Sequence, residues 1–268
     1  MRKKLGLALG SGGSRGVAHI GFLQALDEEG IRPDFVTGCS MGSVVGACYC
    51  AGVPLATIKE QVLKLKLSSI ATLNVAPIQA NGILRMNKAK KLLLEYIGEK
   101  KFSDLEIPFA CVATDLVHGK LVTLRKGNVV DAVIASSSIP GAFTPAVIRG
   151  RQLVDGGVLE RVPTLPLRRM GAEVVVAVDV LGDLTVKPAG GHLVDTLLRC
   201  IDIMDTRATM RKKRGRAKSI DLWLEPELGG MDQYKVKNLA FACEKGYELG
   251  KEYAPKIKEL LEDTNGSV

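Results

Sequence analysis

The stretch from residue 34 to residue 51 constrains this chain more than any other. A short apolar run, Phe35-Val36, is suited to a buried strand. It breaks at Gly38-x-Ser40-x-Gly42, and small apolar residues then continue at helical spacing until Gly52. This is the layout of a nucleophile elbow, in which a serine sits on a sharp strand-to-helix turn with its hydroxyl pushed out of the backbone. A serine held in a strained conformation needs neighbours without a Cβ two residues to either side. Gly42, Gly46 and Ala47 let the helix lie close to a sheet. The helix N-terminus beneath the serine favours the negative charge that acyl transfer develops.

The pattern alone decides little. At ordinary glycine and serine frequencies it arises by chance in about one chain in ten of this length. A second match, Gly12-Gly13-Ser14-Arg15-Gly16, is present here. The surrounding elements and a chemical partner must separate the two.

Residues 5–9 read as a first strand. Glycines and serines at 10–16 follow, and then a helix whose Val17, Ile20, Leu23 and Leu26 share a face until Gly30. A glycine-rich turn between strand and helix offers backbone N–H groups to an anion. A dinucleotide fingerprint fails, because the position five after Gly10 is Arg15 and the position five before Gly16 is Ser11. No Gly-Lys-Ser/Thr supports a phosphate-binding loop either.

Further along, residues 54–66 predict an amphipathic helix. Residues 67–84 are apolar but irregular, as in a flap over a site or a packed connection. Asn87 is expected to cap a helix ending at Gly98. Strands are expected at 108–114 and 120–124, a helix at 128–135, and a hairpin at 146–154 turning at Arg149-Gly150 and leading to Asp155-Gly156-Gly157. A helix at 163–170 and a β-branched buried strand at 173–180 follow. Alternating strands and helices predict a three-layer α/β/α fold with a largely parallel central sheet. The catalytic core is expected over 1–182. A helical C-terminal extension over 183–268, packed on the same domain, completes the expectation.

No apolar run approaches the roughly 18 residues of a membrane span. The basic N-terminus with its five-residue apolar run resembles a signal peptide, but it runs into the glycine loop and reads as a strand. Six cysteines with no C-x-x-C pair suggest reduced thiols and a cytoplasmic location. The three histidines, His19, His118 and His192, lie near no carboxylate or cysteine cluster, so no metal is expected. The net charge is +8, and Arg207, Arg211, Lys212, Lys213, Arg214, Arg216 and Lys218 fall in one stretch without an acid. That run is either a solvated helix end or a foot for an anionic surface. With one Trp in the chain, few aromatics could stack on bases, and a nucleic acid partner is not expected.

A serine nucleophile needs a base. His192, in a loop after the last core strand, and His118, in a turn, are candidates, although a histidine in either place is more often a structural or surface residue than a base. Asp155 is another: it ends a hairpin and is followed by two glycines. Taken by itself it reads as an ordinary turn residue.

The blocks Gly12-Gly13-Ser14-Arg15-Gly16-Val17-Ala18-His19, Gly38-Cys39-Ser40-Met41-Gly42, Ser136-Ser137-Ser138-Ile139-Pro140-Gly141 and Val154-Asp155-Gly156-Gly157, in this order, resemble the patatin-like phospholipases. That family includes plant patatin and the esterase domain of neuropathy target esterase, and the resemblance is strongest to small single-domain bacterial members. It departs at Ser11, where the family's run usually carries glycine. The resemblance implies a catalytic dyad of Ser40 and Asp155. It implies an oxyanion-binding loop, Gly12-Gly13-Ser14-Arg15, in which Gly12 and Gly13 supply N–H groups and Arg15 braces the turn. Gly10, Gly16, Gly38, Gly42, Gly156 and Gly157 would support these motifs. The implied reaction is hydrolysis of a phospholipid or lysophospholipid ester, without metal or cofactor. The alternative is a non-catalytic lipid- or acyl-binding regulator on the same fold. Peripheral contact with an anionic membrane through residues 207–218 would suit either.

Overall fold

The computed structural model describes residues 2–64, 66, 72–73, 82–183 and 193–262. The chain opens with β1 (Leu5–Leu9), α1 (Ala18–Glu28), β2 (Phe35–Gly38), α2 (Met41–Cys50) and α3 (Leu55–Leu63). Next come β3 (Thr72–Leu73), β4 (Gly82–Arg85), α4 (Asn87–Ile97), β5 (Phe109–Asp115), β6 (Lys120–Leu124) and α5 (Val129–Ser136). Then follow β7 (Gly141–Phe143), β8 (Ala146–Ile148), β9 (Arg151–Asp155), α6 (Leu165–Met170) and β10 (Val174–Val178). The long helix α7 (Leu193–Gly215), β11 (Leu222–Leu224) and α8 (Leu239–Leu261) close the described chain.

The main sheet runs β11-β10-β1-β2-β5-β9-β8, with β6 also paired to β5. From β11 to β5 every pairing is parallel. The β5–β6, β5–β9 and β8–β9 pairs are antiparallel. All five residues of β1 and of β10 are buried, as expected of central strands covered by helices on both faces. The carboxyl ends of β1 and β2 lie side by side, with Leu9 opposite Gly38. The glycine loop leaves β1 and the elbow leaves β2, so one edge of the parallel sheet receives both.

The expected hairpin forms, with Arg149 (φ 51°) and Gly150 (φ 76°) at its turn. Both central residues take positive φ, as a two-residue turn matched to strand twist requires. Two details differ from expectation. Asn87 lies inside the first turn of α4, Met86 occupies the capping position, and no side chain caps that end. A second, three-stranded sheet joins β3, β4 and β7, where none was expected. The remainder of the 67–84 stretch, where a flap was considered, lies outside the described residues, as does His192.

Candidate active site

Ser40 sits between β2 and α2 with φ 50° and ψ −122°, a conformation costly for a residue with a side chain. The surroundings hold it there. Its carbonyl accepts from Ser43 Oγ at 2.6 Å and from the Val44 amide at 3.1 Å. Its own N–H donates to Ser136 Oγ at 3.1 Å. The flanking glycines are a matter of space: a Cβ on Gly38 would come 2.5 Å from the Gly42 carbonyl oxygen, and one on Gly42 would come 2.2 Å from that of Leu9. The sharp turn therefore lies against β1 with no room for larger residues.

Asp155 ends β9 and is buried. Its amide donates to the Ser138 carbonyl at 2.9 Å. The serine run 136–138 thus ties both residues, Ser136 through its hydroxyl and Ser138 through its carbonyl. Asp155 Oδ1 accepts from the Gly157 N–H at 2.8 Å and from Cys39 Sγ at 3.6 Å. Ser40 lines the same cavity as this carboxylate, and its hydroxyl favours the charged form. Burial pushes the Asp155 carboxyl up to about 6. The Gly157 amide, the Ser40 hydroxyl and the Cys39 thiol pull it down, and the charge of Asp205 raises it.

In the glycine loop most donors are committed. The Gly10 N–H goes to Val178, that of Ser11 to Arg161 and that of Ser14 to Gln233, at 2.9, 2.9 and 3.0 Å. The Arg15 amide donates to the Gly12 carbonyl at 3.0 Å. The Arg15 guanidinium donates to the carbonyls of Val180, Gly229 and Met231 at 2.6, 3.1 and 3.1 Å, bracing the loop against the chain beyond β10. The N–H groups of Gly12 and Gly13 donate to no acceptor among the described residues. Gly13 has φ +50°, and a Cβ there would lie 2.3 Å from the Gln233 carbonyl, so the turn admits only glycine.

His19 is fully buried, with Nε2 2.8 Å from the Gly10 carbonyl. Burial pushes its imidazole down to about 4, so near neutral pH it is an uncharged donor supporting the loop. His118 is exposed in the β5–β6 turn, 3.0 Å from Asp115. Among the described residues no cluster of His, Cys, Asp or Glu is placed to hold a metal ion.

Ser40, Asp155 and Gly13 line one cavity of about 440 Å³. Its walls are mostly apolar, from α2 (Val44), α3 (Ile58), α4 (Leu93) and α5 (Val133), with Asp205 of α7 beside Asp155. A more open hollow of about 560 Å³ lies over Gln24 and Lys59. It contains neither Ser40 nor Asp155, so its greater size carries no chemistry.

The sequence model described as patatin-like phospholipase matches residues 7–168. The chain belongs to the patatin-like phospholipase family. An uncharacterized NTE family protein of Mycobacterium tuberculosis is 40% identical over 179 residues, covering 67% of this chain and 49% of that one. Lysophospholipase NTE1 of Yarrowia lipolytica is 30% identical over 179 residues, 66% of this chain and 12% of that one. The chain therefore spans about half, or less, of the length of these curated relatives. Among solved structures, VipD from Legionella pneumophila superposes with a TM-score of 0.57 at 15% identity, over 95% of this chain and 67% of that one. The last likeness shows the patatin-like fold alone.

Sequence reasoning overlooked four contributors: Cys39, Ser136, His19 and Asp205. The first two stand inside the motif blocks but read there as spacers. His19 read only as a residue of the first helix. Asp205 reaches the cavity from a helix fifty residues beyond Asp155, and no local pattern marks it.

Proposed function

We propose that this patatin-like protein hydrolyses carboxylic esters of phospholipids or lysophospholipids, with Ser40 as nucleophile and Asp155 as base. The observation that carries the reading is the strained Ser40 and the buried Asp155 carboxylate lining one mostly apolar cavity. The Ser40 oxygen attacks the acyl carbonyl while its proton passes to Asp155. The oxyanion meets the N–H groups of Gly12 and Gly13 and the N-terminus of α2, each such donor being worth about 3–4 kcal/mol. Asp155 returns the proton to the departing alkoxide. A water molecule, deprotonated by the same carboxylate, then cleaves the acyl-enzyme. A carboxylate at about 6 is a better base near neutrality than an ordinary one and is still ionised there. The apolar walls suit an acyl chain, and the name of the Yarrowia relative, a lysophospholipase, supports the substrate class.

Five of the six cysteines are buried and all are free, which fits a cytoplasmic location. Peripheral contact with an anionic surface would use Arg207, Arg211, Arg214 and Lys218, which are exposed. Lys212 and Arg216 pair with Glu160, and Lys213 pairs with Glu225, so the basic run presents fewer charges outward than its composition promised.

The test is a panel of phospholipids and lysophospholipids offered to wild type and Asp155→Asn. Wild type should release fatty acid, and Asp155→Asn should be slower by roughly 10²–10⁴, the usual worth of a positioned base. Equal turnover by the two proteins would remove Asp155 from the mechanism. No hydrolysis of any ester by wild type would leave a lipid-binding protein instead.

A further inference from the structure

A surface helix ordinarily turns its apolar stripe to the core and its polar face to water. The helix α7 does the reverse. Its inward face is mostly polar, with Leu198 turned to the cavity. Asp205 pairs with the buried Arg161 at 2.9 Å, and Thr206 accepts from the same guanidinium at 3.3 Å. Asp202 accepts from Gln233 at 2.9 Å and from the Tyr234 hydroxyl at 2.7 Å. Lys212 and Arg216, at and just beyond its end, bind Glu160. Its outward face is apolar: Leu197 is 55% exposed and Met204 72%. These two lie seven residues apart, two helical turns, and so share a face.

That face adjoins the mouth of the acyl cavity. Val158, Ile201, Tyr234 and Val236 line the cavity and are also exposed, so they mark where it opens. Ile201 belongs to α7 and lies four residues from Leu197. Half of the exposed large hydrophobic side chains among the described residues fall on α7 or on this rim. Continuing the line from Leu197 and Met204 by about one, two and three turns reaches Arg207, Arg211 and Arg214, all exposed and without an ion pair among the described residues. The face thus begins apolar at the cavity mouth and ends basic.

We propose that this outward face of α7, with the rim residues Val158, Tyr234 and Val236, is a docking surface for an anionic lipid bilayer, seating the cavity mouth against the membrane. The occupant follows from the pattern. Apolar side chains beside a cluster of arginines match the acyl and anionic headgroup layers of a lipid surface, whereas a protein groove would have to supply both chemistries in register. The inference rests on the reading of the cavity as an acyl site, and deepens it: substrate enters sideways from the lipid without crossing water. The ion pairs of Glu160 and Arg161, five and six residues after Asp155, fix α7 to the catalytic strand, so the docked face and the reacting serine keep a constant relation.

Leu197→Gln/Met204→Gln removes the apolar contribution without adding charge, and both side chains point away from the site. Sedimentation with phosphatidylcholine–phosphatidylglycerol vesicles should weaken by about tenfold, and hydrolysis of phospholipid in those vesicles should fall in proportion. Turnover of p-nitrophenyl butyrate should stay within about twofold, which reports an intact fold and site. Arg207→Glu/Arg211→Glu/Arg214→Glu should bring binding to the mixed vesicles down to that on phosphatidylcholine alone, and the wild type should show the same loss at high salt. Vesicle binding unchanged in both variants would overturn the proposal. So would a stable dimer that Leu197→Gln/Met204→Gln converts to monomer, since the face would then belong to a second copy. Sedimentation requires no turnover, so it reads this surface even if no ester is hydrolysed, and failure of the hydrolase reading is seen separately in the butyrate assay.

Discussion

Cys39 offers a sensitive probe of how Asp155 is tuned. Its thiol and the Gly157 amide both reach Asp155 Oδ1, at 3.6 and 2.8 Å. The carboxylate stands at about 6 because burial outweighs the hydrogen bonds it accepts. Cys39→Ala deletes one of those bonds. A thiol is a weak donor, so the loss is about 0.5 kcal/mol, which raises the acid limb of kcat/KM by about 0.4 pH unit. The sign follows from the role: a base works only when ionised, so a higher limb costs activity at low pH alone. From a limb near 6, the ionised fraction at pH 6 falls by about 1.8-fold, at pH 7 by about 1.1-fold, and at pH 8 not measurably. Cys39→Ser introduces a stronger donor and should move the limb the other way. The assay is kcat/KM for a soluble ester from pH 5 to pH 8.5, with fluorophosphonate titration of active sites to correct for misfolded protein. A uniform loss at all pH values would mean that Cys39 matters only for packing, and a limb near 4 in the wild type would refute the tuning of Asp155 by burial.

Three further substitutions probe the frame. Gly42→Ala should abolish both labelling and turnover, because its Cβ would lie 2.2 Å from the Leu9 carbonyl oxygen and 2.6 Å from that of Gly10; Gly30→Ala, at a turn with open space around it, should cost only the strain of its positive φ and leave labelling intact. Arg161→Met should lower stability by about 3–5 kcal/mol, read by urea titration, because Asp179 and Asp205 would lose the guanidinium that pairs both at 2.7 and 2.9 Å.

The elbow was legible because its constraint is local. Two glycines around a serine between an apolar strand and a small-residue helix describe a turn with no room, and the clash distances at Gly38 and Gly42 restate that pattern. The alternating strands likewise disclosed the parallel sheet, since β1 and β10 are buried on both faces and carry continuous apolar runs. Asp155 was less legible. A turn dipeptide and a functional carboxylate have the same sequence, and only pairing of β9 with β5 brings it beside the elbow. The serine run 136–138 reads as a polar linker because its partners, Ser40 and Asp155, are distant in sequence. The polarity of α7 was hidden for the same reason. Its acids and threonines look solvent-facing until Arg161, Gln233 and Tyr234 are seen to hold them, and the basic run looks uniformly exposed until Glu160 and Glu225 are seen to take three of its cations.

The central claim concerns one oxygen atom, and a covalent probe addresses it directly. Two Gly-x-Ser-x-Gly motifs exist, yet Ser14 donates its hydroxyl to the Asp232 carbonyl at 3.0 Å, while Ser40 lines a cavity together with the buried Asp155 carboxylate. Protein treated with a fluorophosphonate, digested and mapped by mass spectrometry should carry a single adduct on Ser40. Ser40→Ala should lose the adduct and Ser14→Ala should keep it. An adduct on Ser14 that survives Ser40→Ala would contradict the account.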